Sequence, residues 1–422
     1  MMIETARKTT VVLVCCLWCF FLVGQIAGAQ DSEVVIGVNV PLSGSYRMQG
    51  KDEEGAYKLA VEQINAAGGV LGKKISYVIR DTHTNPQIAK KNALELIKKY
   101  NAVMVTGGSS SAVAVAQSDV CQKNDRIFMA ALTHSNATTG YLVTKAGFVI
   151  QKAHRHTFRW YFNAWMTGKA LGPFLVKRFG KGAEYFYITA DYTWGHSLEE
   201  SLRLATEAAE CDTVGVLRTP LGQKDFTNEL LKVKQRKPDV LVLSLFGQDL
   251  ITALKQADAL QIKKETKIVV PLMELNMAHG VGFDALDGVY STVNWYWRLA
   301  DRYAGSKAFV SAFRAKYGKA PGSSAAAAWV AVHEWVSAVK RAASFDAGAV
   351  IKALEGHKFT LLKDEEQWRS WDHQAVSSVY IVTGKSRKAA QGEWDLLKIV
   401  GQKKGSEVVR SREENPVFLE PL

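Results

Sequence analysis

Short apolar runs alternate with amphipathic segments along most of the chain, and that alternation predicts parallel strands joined by helices. Residues 34–40 (VVIGVNV) are apolar almost throughout, the pattern of a strand buried on both faces. After the loop Pro41-Leu42-Ser43-Gly44-Ser45, the residues Ala56, Leu59, Ala60 and Ile64 recur at helical spacing within 51–67, and Gly68-Gly69 ends the segment. A strand at 74–80 follows, then a helix from Asn85-Pro86 to Tyr100 with proline in the first turn, where its missing N–H does no harm. Further strands are expected at 127–131, 185–189, 214–219, 240–245 and 267–270, with helices at 194–210, 226–235 and 248–260. The last third differs: helices at 307–317, 324–343 and 347–355 precede a β-rich tail that includes 376–382. There are too many strand–helix units for one compact sheet, so the expected fold is α/β, two Rossmann-like lobes with parallel sheets.

One stretch carries a chemical signal. Val103 to Ala116 (VMVTGGSSSAVAVA) reads as a buried strand that turns through Gly107-Gly108 into a helix opened by Ser109, Ser110 and Ser111. The first turn of a helix has unpaired N–H groups and the positive end of the helix dipole, and serine hydroxyls add donors. At the carboxyl end of a parallel strand, where open α/β sheets bind ligands, such a turn suits a small carboxylate. A single serine suffices for a helix cap, and here there are three.

Other chemistries are absent from the pattern. No lysine follows Gly107-Gly108, so a phosphate-binding loop is excluded, and no dinucleotide fingerprint follows residues 34–40. The serines lack a nucleophile-elbow frame, and no Ser/His/Asp set can be argued from order, so an enzyme is not expected. His154 and His156 flank Arg155 with no carboxylate or cysteine near in sequence, and a surface pair is expected rather than a metal site. His373 is expected to be an ordinary hydrogen-bonded histidine. No metal and no cofactor is anticipated.

Composition adds the compartment. The 422 residues are 47% apolar, enough for two cores. Residues 1–29 read as a secretory signal peptide: Arg7 and Lys8 lead, 11–23 are apolar, and Ala27-Gly28-Ala29 offers small residues for cleavage. Its removal leaves Cys121 and Cys211, expected as two separate buried thiols, and lowers the net charge from +12 to +11 by taking Glu4, Arg7 and Lys8. The basic residues are scattered among acids, so no nucleic-acid partner is expected.

With these features in place, the chain resembles the periplasmic solute-binding proteins of ABC importers, of the type that binds leucine, isoleucine and valine. The stretches IGVNVPLSG, QGKDEEGAYKLAVEQINAAGGVLGKKI, VTGGSSSAVAVA, ITADYTWGHSLEESLR and TPLGQKDFTNELLKVKQRKPDVLVLS carry the resemblance. It implies two lobes joined by three crossing strands, near 156–160, 292–297 and 371–377, with the ligand in the cleft. Lobe 1 is then 30–155 with 295–372, and lobe 2 is 156–294 with 373–422. The resemblance places the ligand carboxylate on Ser109, Ser110 and Ser111 and adds Ala131, Leu132 and Thr133 from the next loop. From the second lobe it brings Trp194 as an aromatic lid, Phe246 beside the side-chain pocket, and Glu274 for an ammonium. Gln49 falls where some relatives have an aromatic. Trp160, Tyr161, Trp165 and residues 294–297 (NWYW) either extend the pocket wall for an aromatic acid or belong to the core. The implied function is a monomeric periplasmic protein that captures a hydrophobic amino acid and hands it to an ABC permease in the inner membrane. The alternatives are capture of an aromatic acid, amide or urea-like compound, or a ligand sensor without transport.

Overall fold

The structure is a computed structural model that describes residues 33–145 and 148–422, so the expected signal peptide lies outside the described residues. The first sheet has five parallel strands. Its order is β2 (Lys74–Asp81), β1 (Glu33–Val40), β3 (Met104–Gly107), β4 (Ile127–Ala130) and a strand at Thr157–Arg159. Helices α1 (Arg47–Ala66), α2 (Pro86–Lys98) and α3 (Ser111–Lys123) join the first four strands. Asn85 caps α2 by accepting from the backbone N–H of Gln87 and Ile88, with Pro86 at the first helical position as the sequence predicts. Helix α1 starts four residues earlier than its apolar spacing suggests. Gly50 in its first turn reads as a breaker, but it is there because a side chain would strike the carbonyl of Pro41.

A hairpin, Tyr141–Lys145 with Phe148–Ala153, precedes the crossing into the second half. There a seven-stranded sheet forms in the order Leu397–Lys403, Val379–Gly384, Tyr290–Val293, Lys267–Val270, Val240–Ser244, Glu184–Ala190, Asp212–Thr219. The last five are parallel and the first two run antiparallel to their neighbours. A helix the sequence reading lacked, α4 (Ala164–Phe179), covers this sheet beside α5 (Thr193–Glu207). Pro173 sits inside α4, and Gly168 and Gly172 interrupt its apolar pattern. Both glycines face α5, where a side chain would run into Ser201 and Ala205, so they exist for close helix contact.

The chain then returns to the first half. Two helices, Ala304–Tyr317 and α6 (Ser323–Ala342), pack on α1, tied by Tyr317 Oη donating to the carbonyl of Gly55 at 2.8 Å and Trp329 Nε1 to Gln63 at 2.8 Å. The segments that pass between the halves lie side by side: Arg159 pairs with Gln374, and the Ser377 hydroxyl reaches Asn294 at 3.5 Å. Trp160, Trp295 and Tyr296 are buried in the core, and none of them lines the cavity between the halves. Cys121 and Cys211 are free and buried, as expected, with their thiols pushed up by burial.

The histidines correct the sequence reading. His154 and His156 are not a surface pair: His156 is buried against Asp125 at 2.9 Å and His154 against Ser118 at 2.8 Å, because the segment between them is folded onto α3. His373 stacks on Phe158 at 3.9 Å and bonds Glu355 at 3.1 Å, an internal structural role. Among the described residues no group of histidine, cysteine and carboxylate side chains could hold a metal, and no helix is long and apolar enough to cross a membrane.

Candidate functional site

The serine turn is built by close backbone approach. Gly107 and Gly108 have φ of +124° and +118°, and a side chain on Gly107 would meet the carbonyl of Asn39 on β1. Ser109 itself stands at φ +40°, an uncommon left-handed position for a side chain and a local strain. Ser110 is the N-cap of α3, yet its side chain makes no capping bond, so the three serines are not explained by capping. Ser109 donates to Glu53 Oε1 at 2.5 Å. Ser111 Oγ accepts the backbone N–H of Ser135 at 3.2 Å, which leaves its own proton free to donate.

These residues face a cavity enclosed by both halves. The first half contributes Tyr46, Ser109, Ser111, Leu132, Thr133 and His134; the second contributes Tyr192, Trp194, Phe246 and Leu272. The cavity left between these walls is about 10 Å³. That leaves room for about one water, so a ligand of several heavy atoms has to displace side chains that line the cavity. The walls are aromatic: Trp194 meets Phe246 edge to face at 5.7 Å, Phe246 meets Tyr46 at 5.0 Å, and Tyr192 stacks on Trp194 at 5.9 Å.

The two halves touch around this cavity through polar groups. Tyr46 and Tyr192 join hydroxyl to hydroxyl, and Trp194 Nε1 donates to His134 Nδ1 at 3.2 Å. His134 therefore carries its proton on Nε2 and gives it to Thr167 at 2.9 Å. Burial, with the Arg159 charge nearby, holds His134 well below the ordinary histidine range and keeps it neutral. The Thr133 hydroxyl is paired with Thr138 at 2.9 Å.

Of the residues singled out from sequence, Ser109, Ser111, Leu132, Thr133, Trp194 and Phe246 line this one cavity. Ser110, Ala131, Gln49 and Glu274 do not. Ala131 is buried in the core. Gln49, on the early first turn of α1, donates across the halves to Asn276 at 2.9 Å. Glu274 is turned to the start of α6, where it accepts from Ser323, from the Ser324 N–H at 3.0 Å and from Tyr161 at 2.5 Å. It follows that Glu274 faces a helix N-terminus rather than the cavity. Tyr46, His134, Tyr192 and Leu272 were missed. Tyr192, two residues before Trp194, and His134, one after Thr133, sit in the same loops as predicted residues, but nothing in their spacing marks them.

Similarity to known proteins agrees with this geometry. The sequence pattern described as "Periplasmic binding protein" matches residues 33–390. A "Leu/Ile/Val-binding protein homolog 7" of Brucella abortus (strain 2308) is 25% identical over 343 residues, covering 78% of this chain and 82% of that protein. A solved periplasmic binding protein from Burkholderia mallei is 26% identical with a TM-score of 0.82, covering 91% of this chain and 98% of that one. At 20% identity and a TM-score of 0.78, the fold is shared with an ABC-transporter solute binding protein from Rhodopseudomonas palustris BisB5, solved with 3,4-dihydroxy benzoic acid; the overlap covers 89% and 98% of the two chains.

Proposed function

The chain belongs to the periplasmic binding protein family, and we propose that it captures a small carboxylate between its halves in the periplasm and delivers it to an ABC permease. One observation carries the reading: a hydroxyl-rich helix start from the first half and an aromatic wall from the second face the same enclosed space. The carboxylate binds Ser111 and the open N–H groups of α3 first, and the aromatic wall then closes on the rest of the ligand. Contacts to both halves exist only in the closed form, so ligand shifts the population toward closure. The closed form is what the permease recognises. The division into lobes at residues 156, 295 and 373 belongs to the same proposal. The Brucella relative's name points to hydrophobic amino acids as the first ligands to try.

The test is a thermal-shift screen of the refolded, ligand-stripped chain against amino acids, aromatic acids and amides. A true ligand at a hundred times its Kd stabilises the fold by about 2.7 kcal/mol. Ser111→Ala should then weaken that ligand about tenfold or more by calorimetry. The same change takes the acceptor from the buried Ser135 N–H, so it also lowers stability by about 1–3 kcal/mol. Unchanged affinity in Ser111→Ala would remove the site.

A further inference from the structure

Glu274 belongs to the second half, yet its side chain is buried in the first. It stands between the strand Lys267–Val270 and the helix Leu275–Val281, in the N-cap position of that helix, where its side chain makes no capping bond. Instead it crosses to the start of α6, accepting from the Ser323 hydroxyl and from the Ser324 N–H at 3.0 Å. Tyr161, on the first segment that passes between the halves, donates to it at 2.5 Å. Two residues on, Asn276 makes a parallel crossing: it accepts from Gln49 at 2.9 Å and donates to Asp52 at 3.4 Å, both on α1. One turn of the second half thus lies in the seam between α1 and α6. Gly322, just before α6, lies where the seam is tightest: a Cβ there would stand 3.3 Å from Glu274 Oε2 and 3.2 Å from Asp52 Oδ2.

The charges in this seam make the crossing conditional on its donors. Against Glu274 the first half sets two buried carboxylates of α1, Asp52 and Glu53, and one ammonium, Lys319, which pairs with Asp52. Glu53 accepts from Ser109, and its Oε2 has no partner. On the second-half side, His279 is turned outward to Glu393 at 2.7 Å, and Asp249 is bonded to the Gly222 N–H at 2.8 Å. With the halves apart, water solvates Glu274. Closing strips that water and brings like charges near, and the Ser323 and Ser324 donors are what the carboxylate receives in exchange. Loss of one donor therefore falls on the closed form alone. Burial lifts the Glu274 carboxyl above the ordinary glutamate range, and its serine and tyrosine bonds pull it back only in part. A carboxyl lifted in the closed form takes up a proton on closing, which favours closure at low pH and is lost as pH rises.

We propose that Glu274 is a positioning residue for closure: it docks between α1 and α6 when the halves meet, and it sets affinity without touching the ligand. This role rests on the closing of the halves proposed for ligand capture. The test is calorimetry on the refolded, ligand-stripped chain, with L-leucine and 3,4-dihydroxybenzoate as probes. Ser323→Ala should weaken the probe that binds about tenfold to a hundredfold, the loss of one hydrogen bond to a charged group. In a Glu274→Ala chain the same change should cost less than about twofold, because the hydroxyl has lost its partner. A serine that only supports α6 would cost the same in both chains. Between about pH 5 and pH 7 the affinity of the unaltered chain should fall, and Glu274→Gln, which cannot ionise, should flatten that slope. Unchanged affinity in Ser323→Ala, equal losses in both chains, or an equal slope in Glu274→Gln overturns the inference. Ser111→Ala keeps this role apart from the site. If Ser111→Ala weakens the probe and Ser323→Ala does not, the site stands and the role of Glu274 falls. If Ser323→Ala acts through Glu274 while Ser111→Ala changes nothing, closure stands and the carboxylate site falls. No binding by either probe removes both.

Discussion

Gly247→Ala is the sharpest probe of closure. Gly247 begins the helix Gly247–Ala259 at φ +62°, and a Cβ there would lie 2.7 Å from the carbonyl oxygen of Ser45 and 3.1 Å from Tyr46 Cδ1. Ser45 and Tyr46 belong to the first half and Gly247 to the second, so this clash exists only while the halves are together. Two costs therefore separate. The left-handed backbone costs alanine about 1–2 kcal/mol in every state of the folded chain and leaves affinity untouched. The clash costs the closed form alone about 1–3 kcal/mol, the usual range for overpacking against a neighbour that cannot move. At 1.4 kcal/mol per tenfold, affinity should fall roughly fivefold to a hundredfold. Gly318→Ala is the control: its φ is +68° and a Cβ there meets nothing within 4 Å, so it should lose stability and keep affinity. Calorimetry with the ligand found by thermal shift reads the affinity, and urea unfolding reads the stability. Equal affinities in the two variants would refute closure as the step that binding drives.

Two other outcomes follow from side-chain geometry. Tyr46→Phe and Tyr192→Phe each remove the same hydroxyl contact between the halves, so each should weaken binding about twofold to tenfold, and the double variant no more than either single one. Additive losses in calorimetry would mean that the hydroxyls act separately, on the ligand rather than on each other. Asp395 is held by Arg298, Lys385 and the Gln391 N–H, which push its carboxyl down to about 2. A depressed carboxylate stabilises the fold in full above its unfolded pKa near 3.9 and loses that contribution as pH falls toward 2. Asp395→Asn should therefore cost about 2 kcal/mol in urea unfolding at pH 7 and about half of that at pH 3. A gap that does not change with pH would show that packing, not charge, holds the residue.

How much was legible from sequence depended on whether local pattern or tertiary approach decided the structure. Strand β1 was legible because it is buried on both faces, which leaves the unbroken apolar run 34–40. The serine turn was legible because a strand, two glycines and a helix start lie together in sequence. Helix α4 was not, since Pro173 and its glycines break the pattern and only the closeness of α5 explains the glycines. Within the site, hydroxyl and aromatic residues in short loops were found, while Tyr46 was missed because α1 begins earlier than its apolar period shows. Glu274 illustrates the opposite limit. The resemblance puts it in the cleft, but the start of α6, which supplies its partners, arrives from about fifty residues away.

On the proposed reading, the contacts where the segments pass between the halves should hold in both forms, and those around the cavity should break on opening. Lys363 is wholly buried, donates to the carbonyls of Asn294 at 2.9 Å and Ser378 at 3.0 Å, and lies over the Trp160 ring at 5.1 Å, so one ammonium clasps all three passing segments. Glu366 stands 3.4 Å away as its counter-ion. Breaking such a buried pair by removing one partner costs about 3–5 kcal/mol, which makes the hinge expensive to disturb. Around the cavity the contacts are different in kind: Tyr46 with Tyr192, Trp194 with His134, Gln49 with Asn276. Each is a polar pair that water can replace when the faces separate, worth about 0.5–1.5 kcal/mol net. A few such pairs bring closure near balance without deciding it. On the proposed reading, a carboxylate at Ser111 covered by Trp194 and Phe246 would add interactions made only in the closed form, and that difference would turn binding into a shape a permease can read.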